Sequence, residues 1–359
     1  LIVCVPLRST IERCTGAWRS SRLRARVARI RARIEVHLEW LHLPSRCWFL
    51  FKQAHLLAKS ARKRECHLVV SFLPYTNAIA ILAKLIFNRR LRVIVNVHSI
   101  KSRLLEEISV FDRTLISFLV RKLYGKADLI VAVAQGVRQD LVDSFNLPAD
   151  KIRVINNPID LERIRGLAAE NVDHPWLHDK SLPTVVAVGR LTKVKGYDLL
   201  IRAFAMLPET MGCRLMIIGE GEERAMLEQL TRDCGLDGRV AFLGFKKNPW
   251  KYMRRADCLV LSSRSEALPN VIGEALAVKL PVLATDCSLG VREYLSDGQY
   301  GVIVPPGDAT VLSRKMEELL TDHELRQIFA ERSVERAEDF ALYRIVEAFE
   351  STIAQLLPT

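Results

Sequence analysis

The sequence predicts an α/β protein made of two doubly wound, parallel-sheet domains. Three observations carry that prediction. At 359 residues the chain is too long for one comfortable core, and two domains of similar size are the natural division. Hydrophobic residues make up 49% and charged residues 26%, the balance of a folded rather than a disordered chain. Apolar, β-branched runs alternate with helix-period segments over almost the whole length, which is the pattern of parallel strands joined by covering helices.

In the first half the expected strands are Ile2 to Val5, Glu35 to Trp40, His67 to Phe72, Arg92 to Val97, Leu129 to Val133 and Ile152 to Ile155. A second series follows: Thr184 to Val188, Arg214 to Ile218, Val240 to Leu243, Cys258 to Leu261, Val282 to Ala284 and Gly301 to Val304. Between the series, Pro158, Pro175 and Pro183 bracket a polar stretch without sustained periodicity, the expected linker region. The domain limits follow as residues 1–170, a linker at 171–183, a second domain at 184–340, and a final helix at 341–359 that crosses back to brace the first domain. That helix shows in the spacing of Ile345, Phe349, Ile353 and Leu356.

Composition narrows the function classes. Cys4, Cys14, Cys47, Cys66, Cys213, Cys234, Cys258 and Cys287 have no C-x-x-C or paired short spacing, so reduced thiols in a cytosolic protein are expected rather than zinc or disulfides. No run of 18 apolar residues exists, which argues against an ordinary spanning helix. The opening LIVCVPL precedes its arginines, the wrong order for a signal peptide, and the start at Leu1 suggests that the true beginning is missing. Residues 1–60 hold 12 Lys and Arg against 3 Asp and Glu, so most of the net +12 sits at this end. From Ser20 to Ile34, arginines surround Leu23, Val27, Ile30 and Ile34 on one helix face. Two readings fit: a helix covering a sheet with a solvated arginine face, or one resting on an anionic membrane surface. No nucleic-acid motif accompanies the charge, so nucleic acid is not an expected partner.

Two segments carry chemistry. Strand Thr184 to Val188 runs into Gly189-Arg190-Leu191-Thr192-Lys193-Val194-Lys195-Gly196 and then a helix, and such strand-to-helix turns are where open parallel sheets bind ligands. Gly189 and Gly196 free the backbone, while Arg190 and Lys195 offer donors and charge to a diphosphate. A surface loop with two basic residues is the competing reading. The second segment, Ser262 to Leu276, sets Glu266 ahead of a helix and Glu274 within it. Pro269 suits a first turn, which leaves the N–H groups of Asn270 and Val271 outward as an anion site. Glu266 then suits a sugar hydroxyl and Glu274 a ribose. A carboxylate complementing the helix dipole and a surface glutamate fit the same spacing.

The E-x7-E from Glu266 to Glu274, between Ala256-Asp257-Cys258-Leu259-Val260-Leu261-Ser262-Ser263 and Pro281-Val282-Leu283-Ala284-Thr285-Asp286, resembles the donor signature of retaining GT-B glycosyltransferases of family 4. Gly189-Arg190 with Lys195-Gly196 resembles that family's phosphate-binding segment, and Val304-Pro305-Pro306-Gly307-Asp308 its closing loop. Earlier in the chain, Lys126 to Val133 and Ile155-Asn156-Asn157-Pro158 resemble the end of the family's first domain. His98 matches a histidine near the donor sugar and phosphates, and Thr15-Gly16-Ala17-Trp18-Arg19 a worn glycine loop in which Gly16 is kept for the donor. Thr15, Trp18, Ala267 and Lys279 depart from the family pattern. Ala267 adds a methyl group where the loop approaches the sugar or needs positive φ, so an altered rate or donor preference is expected.

The resemblance implies two Rossmann-like domains facing a central cleft and a retaining transfer of a hexosyl or N-acetylhexosaminyl group. The donor would be a nucleoside-diphosphate sugar, by analogy UDP-linked, and the acceptor a glycan, including one carried on a polyprenyl diphosphate, in cell-surface polysaccharide synthesis. Glu266, Arg190, Lys195 and His98 would be catalytic, with Gly189, Asn270, Val271, Glu274 and Gly16 binding the donor. No D-x-D occurs, so no metal or other cofactor is expected. The expected location is cytoplasmic, peripheral at the inner face of the cell membrane. An epimerase on the same fold and a non-catalytic sugar-nucleotide or membrane-binding protein are the alternatives.

Overall fold

A computed structural model describes residues 2–5, 43–99, 110–172, 174–178 and 181–357. The chain divides into two compact units, Leu1–Ile155 with Glu347–Thr359, and Asn156–Val346. Gly16, the basic segment Ser20 to Ile34 and the strand expected at Glu35 to Trp40 lie outside the described residues.

The first unit holds a sheet in the order β1-β2-β3-β4-β5: Ile2–Val5, Leu68–Phe72, Arg92–Val97, Leu129–Ala132 and Ile152–Val154. Strands β2 to β5 run parallel, with Leu68 opposite Arg92 and Ile94 opposite Leu129, and the apolar runs of β2, β3 and β4 are buried as helix-covered strands require. β1 departs from the parallel expectation: it pairs antiparallel with β2, Ile2 opposite Ser71. A short apolar run specifies a strand but not its direction, which is set by the connection between the strands. Helices α1 (Leu43–Lys63), α2 (Pro74–Leu82), α3 (Val110–Leu123) and α4 (Gln135–Asp143) link this series. The closing residues from Glu347 belong here too, where Arg153 of β5 donates to Gln355 Oε1 at 2.5 Å and to Thr352 Oγ1 at 3.4 Å.

The second unit carries a wholly parallel sheet in the order β11-β10-β9-β6-β7-β8. Its strands are β6 (Thr184–Val188), β7 (Arg214–Ile218), β8 (Val240–Gly244), β9 (Cys258–Leu261), β10 (Val282–Thr285) and β11 (Val302–Val304). The series grows outward from β6 on one side to β8 and on the other to β11, so the direction of winding reverses between β6 and β9. That reversal leaves a crevice beyond the carboxyl ends of β6 and β9, the switch point at which such sheets bind ligands. Around the sheet stand α5 (Leu161–Ala168), α6 (Tyr197–Ala205), α7 (Arg224–Asp233), α8 (Trp250–Met253), α9 (Asn270–Ala277), α10 (Leu289–Leu295), α11 (Ala309–Thr321) and α12 (His323–Asp339), followed by α13 (Leu342–Ala354). Leu200, Phe204, Leu215, Ile217, Leu312 and Met316 pack one face of the sheet without solvent contact. Burial pushes the thiols of Cys213 and Cys258 up, which keeps them protonated and inert.

The region expected as a linker is not structureless. Asp160 caps α5, its carboxylate accepting from Arg163 N at 3.2 Å, and Leu161, Ile164 and Ala168 form a buried stripe. Arg165 ties α5 to the second unit through Ala277 O at 3.3 Å and Glu338 at 3.3 Å. Within 171–183 a further turn forms at Pro175–His178. The division between units accordingly falls after Ile155, ahead of the prolines rather than among them. Proline placement marked breaks in helices, whereas apolar contact assigned the helices to a unit.

Lys279 supplies a test of the packing. The N–H of Leu280 bonds to Ala275 O at 3.0 Å and that of Lys279 to Leu276 O at 3.1 Å, a Schellman ending of α9 with Lys279 at φ 63°. Side chains other than glycine lose roughly 1–2 kcal/mol in that conformation. Lys279→Gly is expected to raise stability by about 1 kcal/mol in urea unfolding, after the larger chain entropy of glycine is offset.

Candidate functional site

The site is built where β6 and β9 end. β6 leads into a 3₁₀ turn, Lys193–Lys195, and then Gly196 at φ 63°. A Cβ on Gly196 would stand 2.2 Å from the carbonyl oxygen of Ser262, the first residue beyond β9, so only glycine lets the two loops meet. Ser262 Oγ donates to Lys195 O at 3.1 Å, and Arg264 N to Val194 O at 2.8 Å. Arg264 also grips Asp198 with two bonds of 2.8 and 2.6 Å and caps Lys193 O at 2.6 Å. Its guanidinium holds the Asp198 carboxyl below the usual carboxylate range against the opposing effect of burial.

This stapling brings Lys195 and Glu266 together. Lys195 Nζ stands 2.5 Å from Glu266 Oε1, with the side chains 25% and 13% exposed. Ser263 Oγ donates to the same oxygen at 2.8 Å, while Thr285 Oγ1 holds the Ser263 carbonyl at 2.6 Å. Lys195 has three donor positions and the carboxylate a second oxygen, so each group can engage a ligand without releasing the other. Tyr197 lies underneath: its hydroxyl is 2.9 Å from where a Gly189 Cβ would be, and burial, then the Glu266 charge, pushes its pKa up.

The other expected residues are arranged as follows. Arg190 is exposed on the same loop, with no ion-pair partner among the described residues. The Gly189 N–H is already spent on Ile218 O at 3.0 Å, so it is not a free anion donor. Asn270 begins α9 after Pro269, which stands just before the first turn; no side chain caps this end. Asn270 Oδ1 accepts from Asn157 at 2.9 Å, and Val271 follows it half-buried. His98 belongs to the first unit, exposed beyond β3 with its ring centroid 5.5 Å from that of Phe72. Ala267 does not take a positive φ, in contrast to Lys279. The tight approach there is carried by Gly290, where a Cβ would meet Ala267 O at 2.0 Å.

Glu274 is no surface residue. It is half-buried on α9, accepts from Trp250 Nε1 at 3.0 Å, and burial raises its pKa. A carboxyl held up in this way takes protons more readily folded than unfolded. It therefore favours the fold in acid and costs stability once the pH climbs past the ordinary carboxylate value. Glu274→Gln is expected to stabilise the protein by about 1 kcal/mol at pH 7. Unfolding curves at several pH values should show that gain fading in acid. Ser263, Tyr197, Trp250 and Arg264 were not singled out from the sequence: Trp250 and Arg264 meet their partners from another crossover, while Ser263 and Tyr197 lie in the site's own loops but take their roles only from the folded contacts.

Among the described residues no group of three His, Cys, Asp or Glu side chains is placed to hold a metal, and no helix is long and apolar enough to cross a membrane. Comparison with known proteins gives the chemistry a family. The profile for glycosyl transferases group 1 matches residues 169–336 and that for glycosyltransferase family 4 residues 14–163. The N-acetylgalactosamine-N,N'-diacetylbacillosaminyl-diphospho-undecaprenol 4-alpha-N-acetylgalactosaminyltransferase of Campylobacter jejuni is 33% identical over 274 residues, 76% of this chain and 72% of its own. The lipopolysaccharide core biosynthesis glycosyltransferase LpsE of Rhizobium meliloti is 35% identical over 205 residues, 57% of this chain and 58% of its own. The crystal structure of Anabaena Alr3699/HepE in complex with UDP and glucose superposes with a TM-score of 0.71 at 22% identity, covering 84% and 81% of the two chains. With a switch-point site in a wholly parallel sheet and relatives of this kind, the chain belongs to the group 1, family 4 glycosyltransferases, enzymes of the GT-B fold.

Proposed function

We propose that this glycosyltransferase moves a hexosyl or N-acetylhexosaminyl group from a UDP-linked donor, with retention, to a glycan acceptor carried on a polyprenyl diphosphate. The place proposed for it is cell-surface polysaccharide synthesis at the cytoplasmic face of the membrane. The observation that carries the donor reading is the 2.5 Å pair of Lys195 and Glu266 at the switch point. Lys195 and Arg190 meet the charge that develops on the departing diphosphate, together with the uncapped N–H groups of Asn270 and Val271. Glu266 orients the sugar ring and Glu274 the ribose. The sugar-to-phosphate bond breaks as the acceptor oxygen bonds the anomeric carbon from the same face, and the acceptor proton passes to the leaving phosphate.

The name of the Campylobacter relative, with its diphospho-undecaprenol acceptor, supports the lipid-linked acceptor, and the UDP complex of the Anabaena protein supports the nucleotide. For His98 and Gly16 the proposal rests on the resemblance alone. Family membership favours transfer over the epimerase and the non-catalytic readings. A panel of UDP-linked and GDP-linked sugars, scored for nucleotide release with and without lipid-linked acceptors, tests the whole reading. Acceptor-dependent release of UDP is the expected result, and acceptor-independent conversion of the donor would overturn it.

The basic groups Arg190 and Lys195 take the place of a divalent cation in the proposed reaction. Transfer is expected to persist in EDTA, and loss of transfer that Mn²⁺ or Mg²⁺ restores would contradict it.

A further inference from the structure

Helix α1 buries Leu50, Ala54, Ala58 and Ala61 along one side. Its opposite side is not the polar face such a helix ordinarily shows. Trp48 is 65% and Phe51 49% exposed there, next to the exposed Lys52 and Lys59. Lys52 Nζ stands 5.0 Å above the Trp48 ring, so charge and aromatic surface are held at one spot. The adjoining π-helical turn Ala83–Phe87 extends the surface: Phe87 meets Phe51 edge-on at 6.5 Å, and Leu85 and Ile86 are exposed beside Arg89 and Arg90.

Residues 43–64 and 83–92 hold ten Lys and Arg and no Asp or Glu. Lys84 and Arg92 pair with Asp128, whereas Lys52, Lys59, Arg89 and Arg90 have no acidic partner among the described residues. A protein partner or a second copy would have to cover apolar surface ringed by charge of one sign, and a second copy would bring the same sign to meet it. An anionic bilayer offers both complements at once: negative headgroups for the bases, and the headgroup boundary for tryptophan and isoleucine.

We propose that this face of α1 and the turn Ala83–Phe87 docks the enzyme on an anionic lipid bilayer, lying on it rather than crossing it. The inference deepens the reading of a lipid-linked acceptor and places the docking on residues other than the arginine-rich segment Ser20 to Ile34.

Sedimentation of the full chain with vesicles tests it. Binding is expected to equimolar phosphatidylglycerol and phosphatidylcholine, and not to phosphatidylcholine alone. Replacing Lys52 and Lys59 by glutamine should weaken binding about thirtyfold at low salt, since each surface base contributes on the order of 1 kcal/mol. Trp48→Ser with Phe51→Ser should weaken it about tenfold or more and remove the part that survives high salt. The same charge change at Arg202 and Arg314, both exposed in the second unit, should leave binding as it was. Equal binding to both vesicles, no binding, or a dimer that the Trp48 and Phe51 changes dissolve would each overturn the proposal. Donor turnover on a water-soluble acceptor should stay unchanged in all these variants, so loss of docking is separable from failure of the proposed reaction.

Discussion

Lys195→Ala is expected to lower kcat/KM by two to three orders of magnitude, the loss that follows removal of one preorganised donor from a developing anion. The geometry makes the effect larger than a surface lysine would give. The Lys195 side chain is three-quarters covered and that of its partner Glu266 is nearly buried, so the truncation also leaves an uncompensated carboxylate with only the Ser263 hydroxyl at 2.8 Å. Both consequences fall on the same reaction step. Nucleotide release under saturating donor should show most of the loss in kcat, because the leaving diphosphate gains its charge in the transition state. A loss confined to KM would mean that Lys195 holds the ground state alone. Lys195→Arg should recover part of the rate, since charge is kept while the 2.5 Å contact with Glu266 is disturbed.

Gly196→Ala is the second large effect, acting on stability and activity together. The added methyl carbon meets the Ser262 carbonyl at 2.2 Å, and the backbone at φ 63° disfavours any side chain. Conformational strain of roughly 1–2 kcal/mol and a forced backbone shift of similar size give a loss of about 3 kcal/mol. For a unit of this size that is a fall of about 10 °C in Tm. Gly235→Ala separates the two causes. Gly235 has φ 67° but nothing within 4 Å of its added carbon, so it should show the strain alone and full activity. Should the Gly196 and Gly235 variants lose equal stability, the close approach of the two loops would not be what positions Lys195 against Glu266.

The second sheet was readable strand by strand because each strand is an unbroken apolar run between turn residues, and its boundaries shift by no more than one residue. The two loops at the switch point were readable for the same reason: Gly196 and Pro269 interrupt the pattern where a strand hands over to a helix. The partners of the carboxylates were not. Trp250 reaches Glu274 from 24 positions away, and no motif marks the bond from Ser263 to Glu266, although Thr285 of β10 fixes the Ser263 carbonyl. Helix α5 was legible in principle, from Asp160 as cap and Leu161, Ile164 and Ala168 as stripe. The flanking prolines drew that stretch into the linker. The direction of β1 was beyond reach, since nothing in Ile2–Val5 distinguishes an antiparallel edge from a parallel one. At Ala267 the expected effect rested either on close approach to the sugar or on a positive φ, and the backbone there does not adopt a positive φ.

In the proposed reaction the carboxyl ends of β6 and β9 grip the diphosphate of a sugar donor. A crystal structure of the full chain with UDP bound measures it directly. The diphosphate oxygens are expected within hydrogen-bond distance of Lys195 Nζ and of the Asn270 and Val271 N–H groups, with the ribose on Glu274. A diphosphate bound away from all three donors, or a nucleotide whose ribose never meets Glu274, would contradict it.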